Sequence, residues 1–354
     1  MGVFMKPGAA LIILLVALTA GYHAAAQRDT AHHKKHKVNI TGIPIINYNS
    51  SYGIILGANG MAFFDMSKKD TISPASSAGI GVGYTQNKSW FGVAFGQLYF
   101  QENKWRITAA AGTGNINFQY FEAASDVDEG QFVDYASVSR FAFLKVLRKI
   151  YGPFYGGLMA KLQHSETVFD VGYDSTAVVN ANGLGVTFLY DTRNNVYTPT
   201  KGWKANVSFL GNPEWLGSDS VFNSLRFYIN YYHPVTKNAV LAARISGFAG
   251  LGDVPFTGQH AVGGKDIRGY TNGKYRGNQV YAAQAEYRWN FYKRWGAVGF
   301  FGVAFTEAPS SVMLPGGGVG VRFKAIRSRN INIGVDGALG KDDKGIYFRI
   351  NEAF

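Results

Sequence analysis

An all-β chain, folded as a transmembrane antiparallel β-barrel of sixteen strands, is what this sequence predicts, and three observations carry the prediction. First, apolar and polar residues alternate with period two along most of the chain. Near the end Tyr281, Ala283, Ala285, Tyr287 and Trp289 fall on one side, and Ala282, Gln284, Glu286, Arg288 and Asn290 on the other. That is the mark of a strand with unlike faces, and it recurs too often for one soluble core to bury every apolar side. Second, aromatic residues make up 15% of the chain and glycine supplies 44 residues, a balance suited to aromatic girdles and crowded, tilted strands. Third, beyond Ala26 no apolar run approaches the length of a membrane helix, so strands must do the crossing.

Taken in order, the chain opens with Lys6, the apolar run Ala9–Ala20 and small residues at Ala24 and Ala26. This reads as a signal peptide over 1–26, since the run is too short to span about 30 Å of hydrocarbon. Residues 27–37 form a basic tail on the periplasmic side. Its His32, His33 and His36 read as solvated rather than metal-binding, because no carboxylate lies beside them. A segment this short cannot fold alone, so the barrel is expected to occupy 38–354 with no soluble domain ahead of it. The absence of cysteine fits export without disulfides and excludes thiolate chemistry. The formal charge of +12 is scattered through strands and loops rather than gathered in a patch. It is assigned to the lumen, the loops and contacts with the lipid bilayer and lipopolysaccharide, not to nucleic acid.

Strands are expected at 38–47, 52–65, 76–86, 88–101, 103–121, 134–149, 151–166, 179–192, 202–211, 220–234, 237–250, 278–291, 295–306, 313–324, 329–340 and 345–353. An even number places both ends of a barrel on one side. Pro44 interrupts the first strand, and proline is tolerated mainly at a sheet edge, as at a seam between first and last strands. Asn103, Gly152, His233–Thr236 and Tyr292–Arg294 mark inner turns. The stretches 122–133, 166–178 and 251–277 are expected as longer outer loops. The long inner turn at 66–75 has no explanation in the sequence. At the end Ile346, Phe348 and Ile350 alternate with Tyr347, Arg349 and Asn351 before Phe354.

Two segments, NGLGVTFLYDTRNNVYTPTKG over Asn182–Gly202 and GGKDIRGY over Gly263–Tyr270, resemble hallmarks of the BamA/TamA outer-membrane assembly-factor family, the bacterial surface antigen barrel. Glu286-Tyr287-Arg288 resembles the strand that follows the second hallmark. The carboxy-terminal strand also resembles the signature read by the barrel-assembly machinery, except that Glu352 stands where an aromatic is usual. The resemblance implies a periplasmic turn built on Asp191, Arg193, Pro199 and Gly202. It also implies a long extracellular loop folded into the lumen, with Arg268, Gly269 and Tyr270 locked against Glu286 and Arg288. Parity puts Glu286 on the lumen face, and charge-assisted hydrogen bonds would offset the entropy of holding the loop inside. The family's second carboxylate is missing, since Gly302 takes its position, and Asp336 is the candidate replacement.

No enzyme site emerges. Gly316–Gly320 reads as strand glycine because no helix follows it. His164 and Ser165 point to opposite faces of a strand, and Asp126, Asp128 and Glu129 read as an exposed loop tip. No cofactor or metal is expected. The resemblance implies a barrel-only protein that assists insertion or translocation of outer-membrane protein clients through a lateral seam. Pro44, Asn351 and Phe354 flank that seam. The alternative is a passive pore, a structural surface antigen, or the membrane half of a complex with a separate periplasmic partner.

Overall fold

The computed structural model describes residues 38–49, 53–74, 76–122, 131–170, 174–195, 198–270, 274–307, 311–326, 331–350 and 352–354. The expected signal peptide and basic tail, with His32, His33 and His36, lie outside the described residues. So do Asp126, Asp128, Glu129 and Asn351.

Among the described residues sixteen strands follow one another around the wall, each antiparallel to the next. They are β1 Asn39–Asn49, β2 Gly53–Phe64, β3 Ser76–Thr85, β4 Trp90–Phe100, β5 Trp105–Glu122, β6 Gln131–Tyr151, β7 Phe154–Asp170, β8 Asp174–Asn180 continued by Gly183–Asp191, β9 Gly202–Asn212, β10 Phe222–Thr236, β11 Ala239–Gly252, β12 Gln279–Tyr292, β13 Trp295–Glu307, β14 Val312–Ile326, β15 Ile331–Gly340 and β16 Asp343–Ile350. β8 is one strand broken at Ala181 and Asn182. Both of its halves pair with β7, but only the second also pairs with β9. At the break the Asn182 side chain accepts from the Gln163 amide at 3.2 Å and donates to the Leu216 carbonyl at 2.9 Å, so side-chain bonds stand in for ladder bonds.

The alternation read in the sequence separates two surfaces. Along β12 the residues Tyr281, Ala283, Ala285, Tyr287 and Trp289 are exposed, while Val280, Ala282, Gln284, Glu286 and Arg288 are buried. Leu158, Leu162, Ile245, Phe301, Val319 and Leu339 lie outward in the same way. Such an apolar exterior suits lipid tails, and ladder pairing satisfies the backbone polar groups within the wall.

β1 runs unbroken through Pro44, which stands opposite Ala58 of β2. A proline costs no ladder bond on a side where no neighbour asks for its N–H. β1 and β16 approach each other, yet among the described residues β1 forms a ladder only with β2 and β16 only with β15.

Two boundaries differ from expectation, and one unexplained turn gains an account. The stretch 166–178 is not chiefly loop: β7 continues to Asp170 and β8 begins at Asp174, because above the membrane a strand can carry polar residues on its outer face. The last strand ends at Ile350 instead of running to 353, and Glu352–Phe354 leave the sheet. The long turn at 66–75 gains a physical account. Asp70 accepts from the Ile72 and Ser73 amides, the Ser73 hydroxyl and the Glu102 amide, and Ser73 Oγ accepts from the Asn103 amide. This turn is fastened to the next one, β4–β5.

Candidate functional site: the loop seated inside the barrel

The connection between β11 and β12 is a finger. A short helical turn at Phe256–Gly258 leads into a two-residue bridge, His260–Ala261 against Arg276–Gly277. Beyond it Val262, Ile267 and Tyr270 pack on Val280, Ala282, Ala304 and Leu314, which face inward from β12, β13 and β14. Burying these apolar side chains offsets part of the cost of ordering the loop. The tip turns tightly, with the Asp266 and Ile267 amides donating to the Gly263 carbonyl at 2.8 and 3.0 Å.

Arg268 is completely buried. Its Nη1 donates to Asp336 Oδ2 at 2.9 Å, and its Nη2 lies 2.5 Å from Glu286 Oε1 and 3.4 Å from Gln284 Oε1. Its guanidinium carbon sits 3.4 Å from the centroid of the Phe300 ring. Two carboxylates, an amide and an aromatic face therefore enclose one cation, an arrangement that compensates a buried charge. Gly269 has φ +111°, and a Cβ there would lie 2.5 Å from the Leu339 carbonyl oxygen. Only glycine serves at that position. The Gly269 amide donates to the Tyr347 hydroxyl at 2.9 Å, and the Tyr270 hydroxyl donates to the Pro315 carbonyl at 2.6 Å.

Gly302, where the resemblance implied a carboxylate, stands beside Gln284 across the β12–β13 ladder. A Cβ on Gly302 would come within 2.7 Å of Gln284 Cβ. The space goes to Gln284, whose side-chain amide Nε2 donates to the loop carbonyls of Lys265 and Asp266 at 2.6 and 3.2 Å. Gly316 has a comparable role, because a Cβ there would meet the Arg268 carbonyl oxygen at 2.3 Å. Sequence reading missed Gln284, Phe300, Gly316 and Tyr347, although parity put Gln284 on the same face as Glu286.

Around Arg268 the charges continue. Arg288 reaches Glu286 at 2.8 Å and Glu352 at 3.9 Å, Arg322 reaches Glu352 at 3.0 Å and Asp336 at 2.5 Å. Arg268, Glu286, Arg288, Glu352, Arg322 and Asp336 thus alternate in sign around a closed ring. Among the described residues the bonds of Arg288 go to Glu286 and the tail, not to the loop.

Of the turn residues, Pro199 lines one cavity with Arg288, Arg322 and Glu352 of this ring, whereas Asp191 and Arg193 pair with each other. Asp191 accepts two hydrogen bonds from the Arg193 guanidinium, at 2.9 and 3.1 Å, and lies 3.5 Å from Arg106. Gly202 has φ +107° with its Cβ position 2.4 Å from the Thr192 carbonyl oxygen. Pro199 belongs to the same turn, where Asn194 Oδ1 accepts from the Thr200 and Lys201 amides. Of the three seam residues, Pro44 is in β1, Asn351 is not described, and Phe354 lies against Arg288 rather than in a strand.

On the other side of the loop tip, Asp266 Oδ2 accepts from the Gly263 amide at 3.1 Å and lies 3.0 Å from His260 Nε2. Burial pushes the Asp266 carboxyl up, but His260, Arg244 and the amide bond outweigh it and hold it below the usual carboxylate range.

Fold and site together define a membrane β-barrel whose lumen holds an inserted arginine loop. Residues 39–322 match the Omp85 superfamily domain, and the chain belongs to that superfamily. Barrels of this kind reside in the bacterial outer membrane and work in transport and assembly, not as enzymes. BamA from Haemophilus ducreyi lacking POTRA domains 1-3 is 14% identical, with TM-score 0.60 over 95% of this chain and 75% of that one. CdiB from Escherichia coli is 12% identical, with TM-score 0.61 over 91% of this chain and 63% of that one. CdiB from Acinetobacter baumannii is 13% identical, with TM-score 0.58 over 98% and 70%. At these identities the likeness concerns the fold. No curated protein sequence matches the chain.

Proposed function

We propose that this outer-membrane barrel assists the insertion or translocation of other outer-membrane proteins through a lateral seam between β1 and β16. One observation carries the reading: the two strands approach each other, but among the described residues neither forms a ladder with the other. An unpaired strand edge is a template for an incoming strand. In this reading Arg268, Gly269, Tyr270, Glu286 and Asp336 form a lock that keeps the loop inside while the seam works, and Arg288 steadies Glu286. The Asp191–Arg193 turn, with Pro199 and Gly202, shapes the periplasmic rim.

The test uses the absence of native cysteine. A cysteine in 39–49 is paired with one in 343–350 in the intact protein. Oxidation is expected to lower the amounts of other outer-membrane barrels, and reduction to restore them. Unaltered outer-membrane composition, both in the locked state and after depletion of the protein, would sink the reading in favour of a passive barrel. That second reading has its own support: Lys145, Lys161, Arg226 and Arg244 line one side of the lumen without an ion pair among the described residues. It predicts anion-preferring conductance in planar bilayers.

A further inference from the structure

Residues Glu352–Phe354 behave as a ligand. Glu352 Oε2 accepts from Arg322 Nε at 3.0 Å, and Oε1 accepts from Asn332 Nδ2 at 2.8 Å. The Phe354 carbonyl accepts from Arg288 Nη2 at 3.0 Å, and its ring lies 5.3 Å from the Arg288 guanidinium carbon. Ala353 between them is 6% exposed. Two arginines and an amide thus grip a carboxylate, a main-chain carbonyl and an aromatic ring.

The grip is larger than what fills it. Arg288 and Arg322 are 6% and 3% exposed, yet Arg288 Nη1, Arg322 Nη2 and Asn332 Oδ1 have no hydrogen-bond partner among the described residues. These residues line a cavity of ≈ 200 Å³ together with Lys324, Asn194 and Thr200. Buried donors ordinarily find acceptors, and here the spare donors are guanidinium groups, which favour oxyanions.

We propose that this mouth is a binding site for a carboxylate-bearing peptide segment of the order acidic–small–aromatic, and that Glu352–Phe354 occupies it in cis. The proposal rests on the reading of the barrel as one that handles other polypeptides. The charge balance selects the ligand. With Glu352 in place, Arg268, Arg288 and Arg322 face Glu286, Asp336 and Glu352, three against three. Withdrawing the tail leaves the arginines in excess. An entering carboxylate restores the balance and a neutral segment does not. Because the tail follows directly on β16 and Glu352 closes the ring that holds Arg268, displacement in trans frees the last strand and loosens the loop together.

A unique thiol at Ala353→Cys in the full chain reports on the tail. Labelling of the folded, purified barrel by a hydrophilic maleimide is expected to be slow, and at least about tenfold faster once Glu352→Gln is added. A peptide copying residues 349–354 is expected to accelerate labelling of the single variant. The same peptide with glutamine for its glutamate is expected to need at least about tenfold more. Equal effects of the two peptides, no effect of either, or equal labelling with and without Glu352→Gln would overturn the proposal. So would acceleration by inorganic phosphate at the concentration at which the acidic peptide acts, which would mark a general oxyanion site. If Ala353→Cys fails to give the heat-modifiable folded form, a fluorescent acidic peptide is titrated onto Glu352→Gln alone. Binding at least about tenfold tighter than to the parent is expected, and equal binding would count against the site. All these readouts use purified barrel without clients, so failure of the seam assay leaves them independent.

Discussion

The two sides of the lumen solve the problem of buried charge differently. On the β12–β16 side every arginine of the ring touches carboxylates, and the loop arginine is enclosed. On the β6–β11 side three cations meet aromatic faces instead: Lys204 lies 5.3 Å and Arg244 4.8 Å from the Tyr228 centroid, and Arg226 lies 5.3 Å from that of Phe248. The finger presents a different sign to each. Arg268 faces the carboxylates, while Asp266 lies within electrostatic range of Arg226 and Arg244. The lesson is that the loop is held by a matched network on one side and by a longer-range field on the other. Matched pairs fix position; an unmatched field biases orientation and invites anions.

Arg268→Ala should break the comparison most severely. It leaves Glu286 and Asp336 buried without their shared cation, at a cost of about 3–5 kcal/mol. The folded, heat-modifiable band should melt at a lower temperature and protease should cut within 251–278; unchanged melting and protection would deny the network its part. Asp336→Asn should cost less, about 1–3 kcal/mol, because Glu286 still holds Arg268 and Glu352 still holds Arg322. The same melting assay ranks the two.

Acid probes the other side. Because the Asp266 carboxyl is held below its ordinary value of 3.8, its contribution is complete above that pH and is lost as pH falls through the lowered value. Hydrogen exchange of the finger should therefore rise below about pH 3.8, and Asp266→Asn should remove that acid dependence. The smallest effect is expected from Lys161→Gln combined with Arg226→Gln. Melting should stay the same or rise as repulsion falls, while planar-bilayer measurements should show weaker anion preference. A clear loss of stability would mean that these cations have partners after all.

The strands were legible because the lipid face admits only apolar side chains, so period two survives in every membrane crossing. Parity also sufficed to bring Glu286 and Asp336 to the inner face. What parity cannot supply is distance across the wall. Arg322 and Glu352 meet only because the chain leaves the sheet after Ile350, and no local pattern announces that exit. Gly302 looked like the loss of a carboxylate, whereas the gap it leaves admits the Gln284 side chain. Above the membrane the rule that made the strands visible lapses. The outward residues of β7 change from Leu158 and Leu162 to His164 and Glu166, and 166–178 looked like loop for that reason.

Those outer extensions give the wall unequal height. β6 and β7 have 21 and 17 residues, against 10 and 8 in β15 and β16. At about 3.4 Å per residue and a tilt of about 40°, the longer pair rises far past an apolar band of about 25 Å. A macromolecule coming from the end opposite the termini therefore meets a tall parapet first. The low rim beyond it, where β15 and β16 stop, stands in that shelter.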